Sequence, residues 1–288
     1  DLLPGLTVDQ YGDVLVVQTT TTGMDRLLPM WTELLLEACK PCAIIERNDL
    51  PVRAFEGLPA RTGVLHGQAV PALRLRIGGL DFPCDPNDAH KTGVYLDQQR
   101  NWEAVAAMVR PGMRVLDAFC HLGGFGLHAL AAGAGAAVLL DSSEASLGGA
   151  RQAAEWAGCS ARISCVCDNA FGYLKGADGA NERFDLIILD PPTFTRTRAA
   201  VPQALRGYKE IHLRALKMLS PGGILATFSC SHHITIEAFL GMVADAAGDT
   251  HRTLRRERLL GASPDHPLLV AVPESEYLKG AVFSVLDG

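Results

Sequence analysis

The chain has 288 residues, 48% of them hydrophobic and 20% charged. It can therefore build one large core or two smaller ones and bury roughly three quarters of its unfolded surface. A formal net charge of -6 argues against general polyanion binding, which rests on Lys and Arg neutralising phosphates, but leaves room for a local basic face. No repeat, low-complexity tract or apolar stretch long enough to cross a bilayer interrupts the chain, which excludes solenoid, disordered and membrane-spanning classes.

The N-terminal "LTVDQYGDVLVVQ" alternates on either side of a Tyr-Gly-Asp turn and predicts a hairpin. "MDRLLPMWTELLLEACK" predicts a helix, "AIIERND" a strand, and "FEGLPARTG" a loop-rich passage. "PALRLRIGGLDFPCDP" predicts a second extended pair that ends at a Pro-rich boundary. We read residues 1–85 as a small mixed α/β domain, 86–100 as a connecting segment contributing to a cofactor site, and 101–288 as the larger domain.

In that larger domain "MRVLDAF", "AAVLLD", "CVCD", "FDLIILD" and "GGILATFSC" are short apolar runs separated by helix-compatible segments. Continuous apolar strands alternating with helices predict a parallel sheet covered on both faces, an α/β fold. Ligands of such sheets bind beyond the carboxyl ends of the strands, and here several strands end in Asp or Cys.

The first of these strands runs into "DAFCHLGGFG", residues 117–126, where Gly123 and Gly124 permit a tight turn over a helix N-terminus. The spacing departs from GxGxxG, which counts against a dinucleotide oxidoreductase. Asp141 ends the second strand, where a carboxylate can accept both hydroxyls of a ribose. Asp168 ends the third, within reach of an adenine amino group. The bland alternative is that Asp117, Asp141 and Asp168 only cap helices. The fourth strand ends in "LDPPTF", residues 189–194, whose consecutive prolines fix a rigid turn after Asp190.

Eight cysteines are scattered without a framework. Cys39 and Cys42 form a single CxxC, which supplies half of a zinc site, so no metal is expected. Free thiols suit a reducing cytoplasm, and no signal peptide is visible. Arg196, Arg198, Arg206 and Lys209 form one basic cluster and Arg252, Arg255, Arg256 and Arg258 another. Each is either an RNA contact or a solvated loop and strand edge.

The D-P-P motif at the fourth strand resembles class I S-adenosylmethionine-dependent methyltransferases acting on nucleobases. Taken with "KTGVYLDQ" (91–98), "FCHLGGFG", "DSSEASLGGARQAAEWAG", "RGYKEIHLRALKMLSPGGILATFSCS", "DHP" (265–267) and "YLKG" (277–280), the chain resembles the RlmI-type family of large-subunit ribosomal RNA cytosine-5 methyltransferases. The resemblance implies a Rossmann-like, seven-stranded, mostly parallel sheet behind the smaller α/β domain. It also implies S-adenosylmethionine as methyl donor, S-adenosylhomocysteine as product and ribosomal RNA as substrate; a homodimer stays open. By the same resemblance Lys91, Tyr95 and Gln98 would hold the cofactor from the preceding segment. Asp117, Phe119, Gly123, Gly124 and Phe125 would form its loop, Asp141 and Ser142 would meet the ribose, and Asp168 and Asn169 the adenine. Asp190 and Pro191 would face both cofactor and base. Two features depart from the family. Its usual N-terminal PUA-like domain would end before Asp1, so that domain is expected to be lacking, as in a piece of a longer protein. Its Asp-Gln-Arg is Asp97-Gln98-Gln99 here, with Arg100 one position later.

Carbon 5 of cytosine is a weak nucleophile, and addition of a thiolate at carbon 6 makes it an enamine-like one. Cys230, at the end of the fifth strand, is the expected nucleophile, with Asp190 positioning the base; the plain alternative for a free cysteine is a small buried hydrophobe. Cys120 is expected to pack beside the cofactor, and His232, His233 and His266 are secondary candidates for proton transfer. Two other functions fit the same motifs: methylation of an RNA nitrogen without a covalent step, and a cofactor-binding RNA scaffold without turnover.

Overall fold

A two-residue Gly12-Asp13 turn, with Gly12 in the left-handed region at φ 64°, joins β1 (Leu6–Tyr11) to β2 (Val14–Thr19) as the antiparallel hairpin read from the sequence. The computed structural model describes residues 3–87, 94–195 and 197–286. They form two compact units, Asp1–Arg76 with Pro83–Tyr95, and Ile77–Phe82 with Leu96–Gly288.

In the first unit the expected single helix is two, α1 (Thr22–Arg26) and α2 (Leu28–Cys39). The Thr21 side chain caps α1 by accepting from the Met24 amide, and Pro29 sits in the first turn of α2, where its missing N–H is not needed. Strand β3 (Ala43–Asn48) lies parallel to β2 and antiparallel to β4 (Arg61–His66). Leu15, Val17 and Ile44 pack with Leu28 of α2 on one face of this sheet, while Val14, Ala43 and Ile45 pack on the other. Burial on both faces explains why β2 and β3 read as unbroken apolar runs. A separate two-stranded hairpin follows, β5 (Leu73–Ile77) and β6 (Leu80–Cys84), whose residues Ile77–Phe82 belong to the second unit.

The second unit alternates strands with helices: α3 (Gln99–Ala106), β7 (Arg114–Ala118), α4 (Gly124–Ala131), β8 (Ala136–Asp141), α5 (Glu144–Trp156), β9 (Ile163–Cys167) and α6 (Ala170–Gly179). It continues with β10 (Phe184–Leu189), α7 (Val201–Met218), β11 (Leu219–Ser229), α8 (Ile236–Asp249), β12 (Leu254–Leu260) and β13 (Lys279–Val285). The seven strands lie in the order β12-β13-β11-β10-β7-β8-β9, and only β13 runs antiparallel to its neighbours. The chain builds outward from β7 to β9 and then returns to the other side of β7 with β10, so the sheet has its switch point between those two strands. Arg255, Arg256 and Arg258 lie on the edge strand β12.

One face is covered by α6, α7 and α8 through Leu174, Tyr208, Ile211, Leu216, Phe239 and Met242, all buried. On the other, Trp102 of α3 meets Phe125 of α4 edge-on at 6.5 Å, and Phe125 meets Phe228 of β11 at 5.1 Å. This aromatic row sets the space left for the start of α4. A Cβ on Gly124 would fall 2.4 to 2.7 Å from three atoms of the Trp102 indole, a rigid buried ring. Gly148, on the exposed side of α5, has nothing within 4 Å of such an atom. Gly124→Ala should therefore lower unfolding stability by about 2 kcal/mol through overpacking, whereas Gly148→Ala should raise it by about 0.5 kcal/mol through helix propensity. Urea denaturation of both variants checks the pair.

Candidate active site at the strand ends

At the carboxyl end of β7 the backbone turns sharply. Phe119 and His121 adopt φ of 64° and 50°, and Gly123 follows at 76° as the N-cap of α4. Two non-glycine residues in the left-handed region mark a loop whose shape is imposed by its partners. Those partners are on β8: the Cys120 amide donates to the Leu140 carbonyl at 3.0 Å, and the His121 amide to Asp141 Oδ2 at 2.9 Å. The other Asp141 oxygen accepts from the Ser143 amide at 2.9 Å. Each carboxylate oxygen keeps a second lone pair, so Asp141 can brace the loop and still receive a ribose hydroxyl.

Asp117 lies beneath the loop, fully buried. Its Oδ2 accepts from the Gly126 amide at 2.8 Å, while Oδ1 has no hydrogen-bond partner among the described residues. Burial pushes its pKa up to about 8, Asp190 and Asp141 push the same way, and only the Gly126 amide opposes them. Three acids crowded at adjacent strand ends, one with an unsatisfied buried oxygen, suit a ligand that brings positive charge and hydroxyl groups. Of the two glycines, Gly124 leaves room for the Trp102 indole, and Gly123 makes the expected tight turn in the left-handed region as the N-cap of α4.

The helix-capping alternative fails at Asp141 and Asp168, while Asp117 meets a first-turn amide of α4 at Gly126. Ser143, not Asp141, caps α5 through its own side chain, and Asn169, not Asp168, caps α6 by accepting from the Phe171 and Gly172 amides. Asp168 stays exposed at the end of β9, accepting at 2.7 Å from the Asn169 amide, and Ser142 is exposed beside Asp141.

Asp190 follows β10 and is partly buried. Its Oδ2 accepts from the Gln98 side-chain amide at 2.9 Å, and the Gln98 carbonyl accepts from Asn101 Nδ2 at 2.6 Å. Gln98 is thus a buried brace for Asp190. Tyr95 belongs to the first unit, and Lys91 lies outside the described residues.

Cys230 follows the last residue of β11 and is partly buried, its Sγ 4.0 Å from the Pro191 carbonyl oxygen. The serines on either side are completely buried. Ser229 Oγ donates to the Tyr208 hydroxyl at 3.0 Å, and Ser231 Oγ lies 3.1 Å from the same hydroxyl and 3.0 Å from Thr193 Oγ1. His212, buried and held neutral with its pKa lowered to about 4, donates to the Tyr208 carbonyl and accepts from Thr227 of β11. With residues 229 and 231 pinned inward against α7, strand alternation turns residue 230 the other way. Cys120, by contrast, is buried beneath the glycine loop with its thiol pKa raised well above the ordinary value, chiefly by burial.

Tyr208, Thr193 and Lys279 lie in the motifs that carry the family resemblance but are not among the expected site residues. Tyr208 and Thr193 anchor the serines from other elements, and Lys279 reaches the Ser231 carbonyl at 2.7 Å. Tyr277 donates to Asp97 Oδ2 at 2.7 Å, and the rings of His232 and His266 lie 5.6 Å and 6.3 Å from the Tyr277 ring. Among the described residues no group of three or more His, Cys, Asp or Glu could hold a metal ion, and no helix is long and apolar enough to cross a membrane.

A mostly parallel seven-stranded sheet with a glycine-bearing loop after β7, beside the switch point, and an acid ending the neighbouring β8 defines a Rossmann-like methyltransferase fold. The family model described as S-adenosylmethionine-dependent methyltransferase matches residues 59–271. Ribosomal RNA large subunit methyltransferase I of Aeromonas hydrophila subsp. hydrophila is 42% identical over 285 residues, covering 98% of this chain and 72% of that relative. The chain belongs to the S-adenosylmethionine-dependent methyltransferase family, within the group named ribosomal RNA large subunit methyltransferase I. Among solved structures, SMU.776 complexed with SAH superposes with a TM-score of 0.85 at 22% identity, over 98% of this chain and 72% of that one. The M. jannaschii tRNA m1G37 methyltransferase superposes at 0.65 with 12% identity, over 100% and 78%. At these identities the two superpositions establish the fold.

Asp117 gives a pH signature. Its folded pKa of about 8 lies above the ordinary 3.8, so between those values the native state binds the extra proton and this group's contribution to stability falls as pH rises. Asp117→Asn removes that loss. Without added cofactor, the variant's stability relative to the parent should therefore improve by about 4 kcal/mol between about pH 5 and about pH 8, measured by urea denaturation at the two values.

Proposed function

We propose that the protein transfers a methyl group from S-adenosylmethionine to carbon 5 of a cytosine in large-subunit ribosomal RNA, through a covalent bond to Cys230. The observation that carries this reading is the place of the thiol: Cys230 leaves the end of β11 with its sulfur 4.0 Å from Pro191, the residue after Asp190, at the switch point of the sheet. The names of its relatives support ribosomal RNA as substrate.

The donor would be held by Asp117, Phe119, Gly123, Gly124 and Phe125 at the loop, Asp141 and Ser142 at the ribose, and Asp168 and Asn169 at the adenine. Asp190 and Pro191 would face donor and base together; Lys91, Tyr95 and Gln98 complete the proposed set, Gln98 through its hydrogen bond to Asp190. Bound there, S-adenosylmethionine supplies an electrophilic methyl group on a sulfonium.

Cys230 adds as a thiolate to carbon 6 of the cytosine, and the electron pair displaced from the 5,6 double bond makes carbon 5 nucleophilic. Asp190, fixed by Gln98, accepts a hydrogen bond from the exocyclic amino group and holds the ring against Cys230. After carbon 5 has taken the methyl group, a base removes its proton, the double bond reforms, and the thiolate leaves. The target nucleotide has to be unstacked for both ring faces to be reached. All eight cysteines are free, which suits a reducing cytoplasm.

RNA carrying 5-fluorocytosine cannot lose the proton that normally leaves carbon 5, so the covalent complex should accumulate and be visible by mass spectrometry. We expect the complex with the parent and with Cys120→Ser, none with Cys230→Ser, and a fall in methyl transfer of at least about a thousand-fold in Cys230→Ala. Full activity of Cys230→Ala would instead indicate transfer to nitrogen, which needs no thiol, and cofactor binding without any transfer would indicate a scaffold.

A further inference from the structure

Lys279 opens β13, where its Cα pairs with that of Ser229, one residue before the thiol. It is 4% exposed. Its ammonium donates to two main-chain carbonyls, Ser231 at 2.7 Å and Tyr277 at 2.7 Å, and among the described residues no carboxylate lies within ion-pairing distance of it. A buried lysine satisfied only by neutral carbonyls keeps an uncompensated positive charge, an arrangement that is unfavourable unless an anion completes it. The Ser231 carbonyl it grips belongs to the residue immediately after Cys230. Burial is the largest influence on Lys279 and holds its pKa below the ordinary lysine value; the Cys230 sulfur, ahead of Glu276, pulls it back toward the charged form.

We infer that Lys279 is a positioning residue that holds Cys230 in its reactive thiolate form by placing a buried, carboxylate-free cation behind the end of β11. The thiol proton leaves to solvent, Lys279 keeps its own proton throughout, and the negative charge on sulfur completes the pair. The other groups around the thiol cannot take this role. Tyr208 of α7 and Tyr277 before β13 are both held neutral, their pKa values raised chiefly by burial. Asp190 beyond β10 is an acid and opposes a neighbouring thiolate. His232, on the same loop as the thiol, is pushed toward the neutral form by burial and then by Lys279 itself.

This inference rests on the reading of Cys230 as nucleophile, and the two can be told apart because the test uses the free protein without RNA. The rate of Cys230 alkylation by iodoacetamide, followed by peptide mass spectrometry to separate it from exposed Cys39, Cys42 and Cys167, is measured against pH. The parent should titrate below the ~8.5 of a free cysteine. Lys279→Met should move the midpoint up by about 1 unit, and Lys279→Arg, which restores the charge, should bring it back down. Methyl transfer by Lys279→Met should fall about ten-fold near neutral pH and recover as pH rises past the new midpoint, whereas a purely structural defect would depress it at every pH. An unchanged midpoint in Lys279→Met overturns the inference. If that variant does not fold, the parent decides alone: a midpoint at or above ~8.5 overturns it. A shifted midpoint together with full activity of Cys230→Ser would sustain the cation's effect on the thiol while ending the nucleophile reading.

Discussion

The Tyr208 hydroxyl is the fixed point of the site. It receives Ser229 and meets Ser231, both without solvent exposure, so the backbone on either side of residue 230 is tied to α7. A chain in extended conformation has only two directions for its side chains. Once 229 and 231 are committed inward, the side chain between them turns the other way, where its sulfur lies 4.0 Å from the Pro191 carbonyl oxygen. Buried hydroxyls must find partners: Tyr208, Ser229 and Ser231 satisfy one another, and exposed Thr193 adds a contact to Ser231. His212, neutral between the Tyr208 carbonyl and Thr227, fastens the same helix to the same strand from below.

The glycine loop is organised by the same economy. Asp141 fixes the loop through the His121 amide and the start of α5 through the Ser143 amide, so one carboxylate sets the distance between two strand ends. The strain of Phe119 and His121 in the left-handed region is held by hydrogen bonds to β8, and behind the loop Trp102, Phe125 and Phe228 join α3, α4 and β11 in one packed row. The glycine loop and the end of β11 are therefore braced against a common wall, which limits how far the two can drift apart.

Charge is distributed with a similar logic. Asp190 and Asp141 add to the burial that makes Asp117 hard to ionise, whereas Lys279 is buried with its ammonium on the Ser231 carbonyl. Such a distribution favours positive charge beside the acids and negative charge beside the lysine.

Much of this was legible from residue order alone. Apolar runs ending in Asp117, Asp141, Asp168, Asp190 and Cys230 announced five parallel strands and the end at which chemistry would gather, because strand length, apolarity and terminal residue are local properties. The Tyr-Gly-Asp turn gave the first hairpin for the same reason. The break at Leu27, which divides one expected helix into two, was less visible because Thr21 and Pro29 favour a new start without enforcing it. What only the tertiary structure decided is which distant groups meet. Gln98 bracing Asp190, Tyr208 holding two serines, Trp102 requiring Gly124, and Lys279 lying behind Cys230 join residues between 21 and 92 positions apart. Such pairings follow from the crossing of helices and the order of strands, and no periodicity in a single segment encodes them.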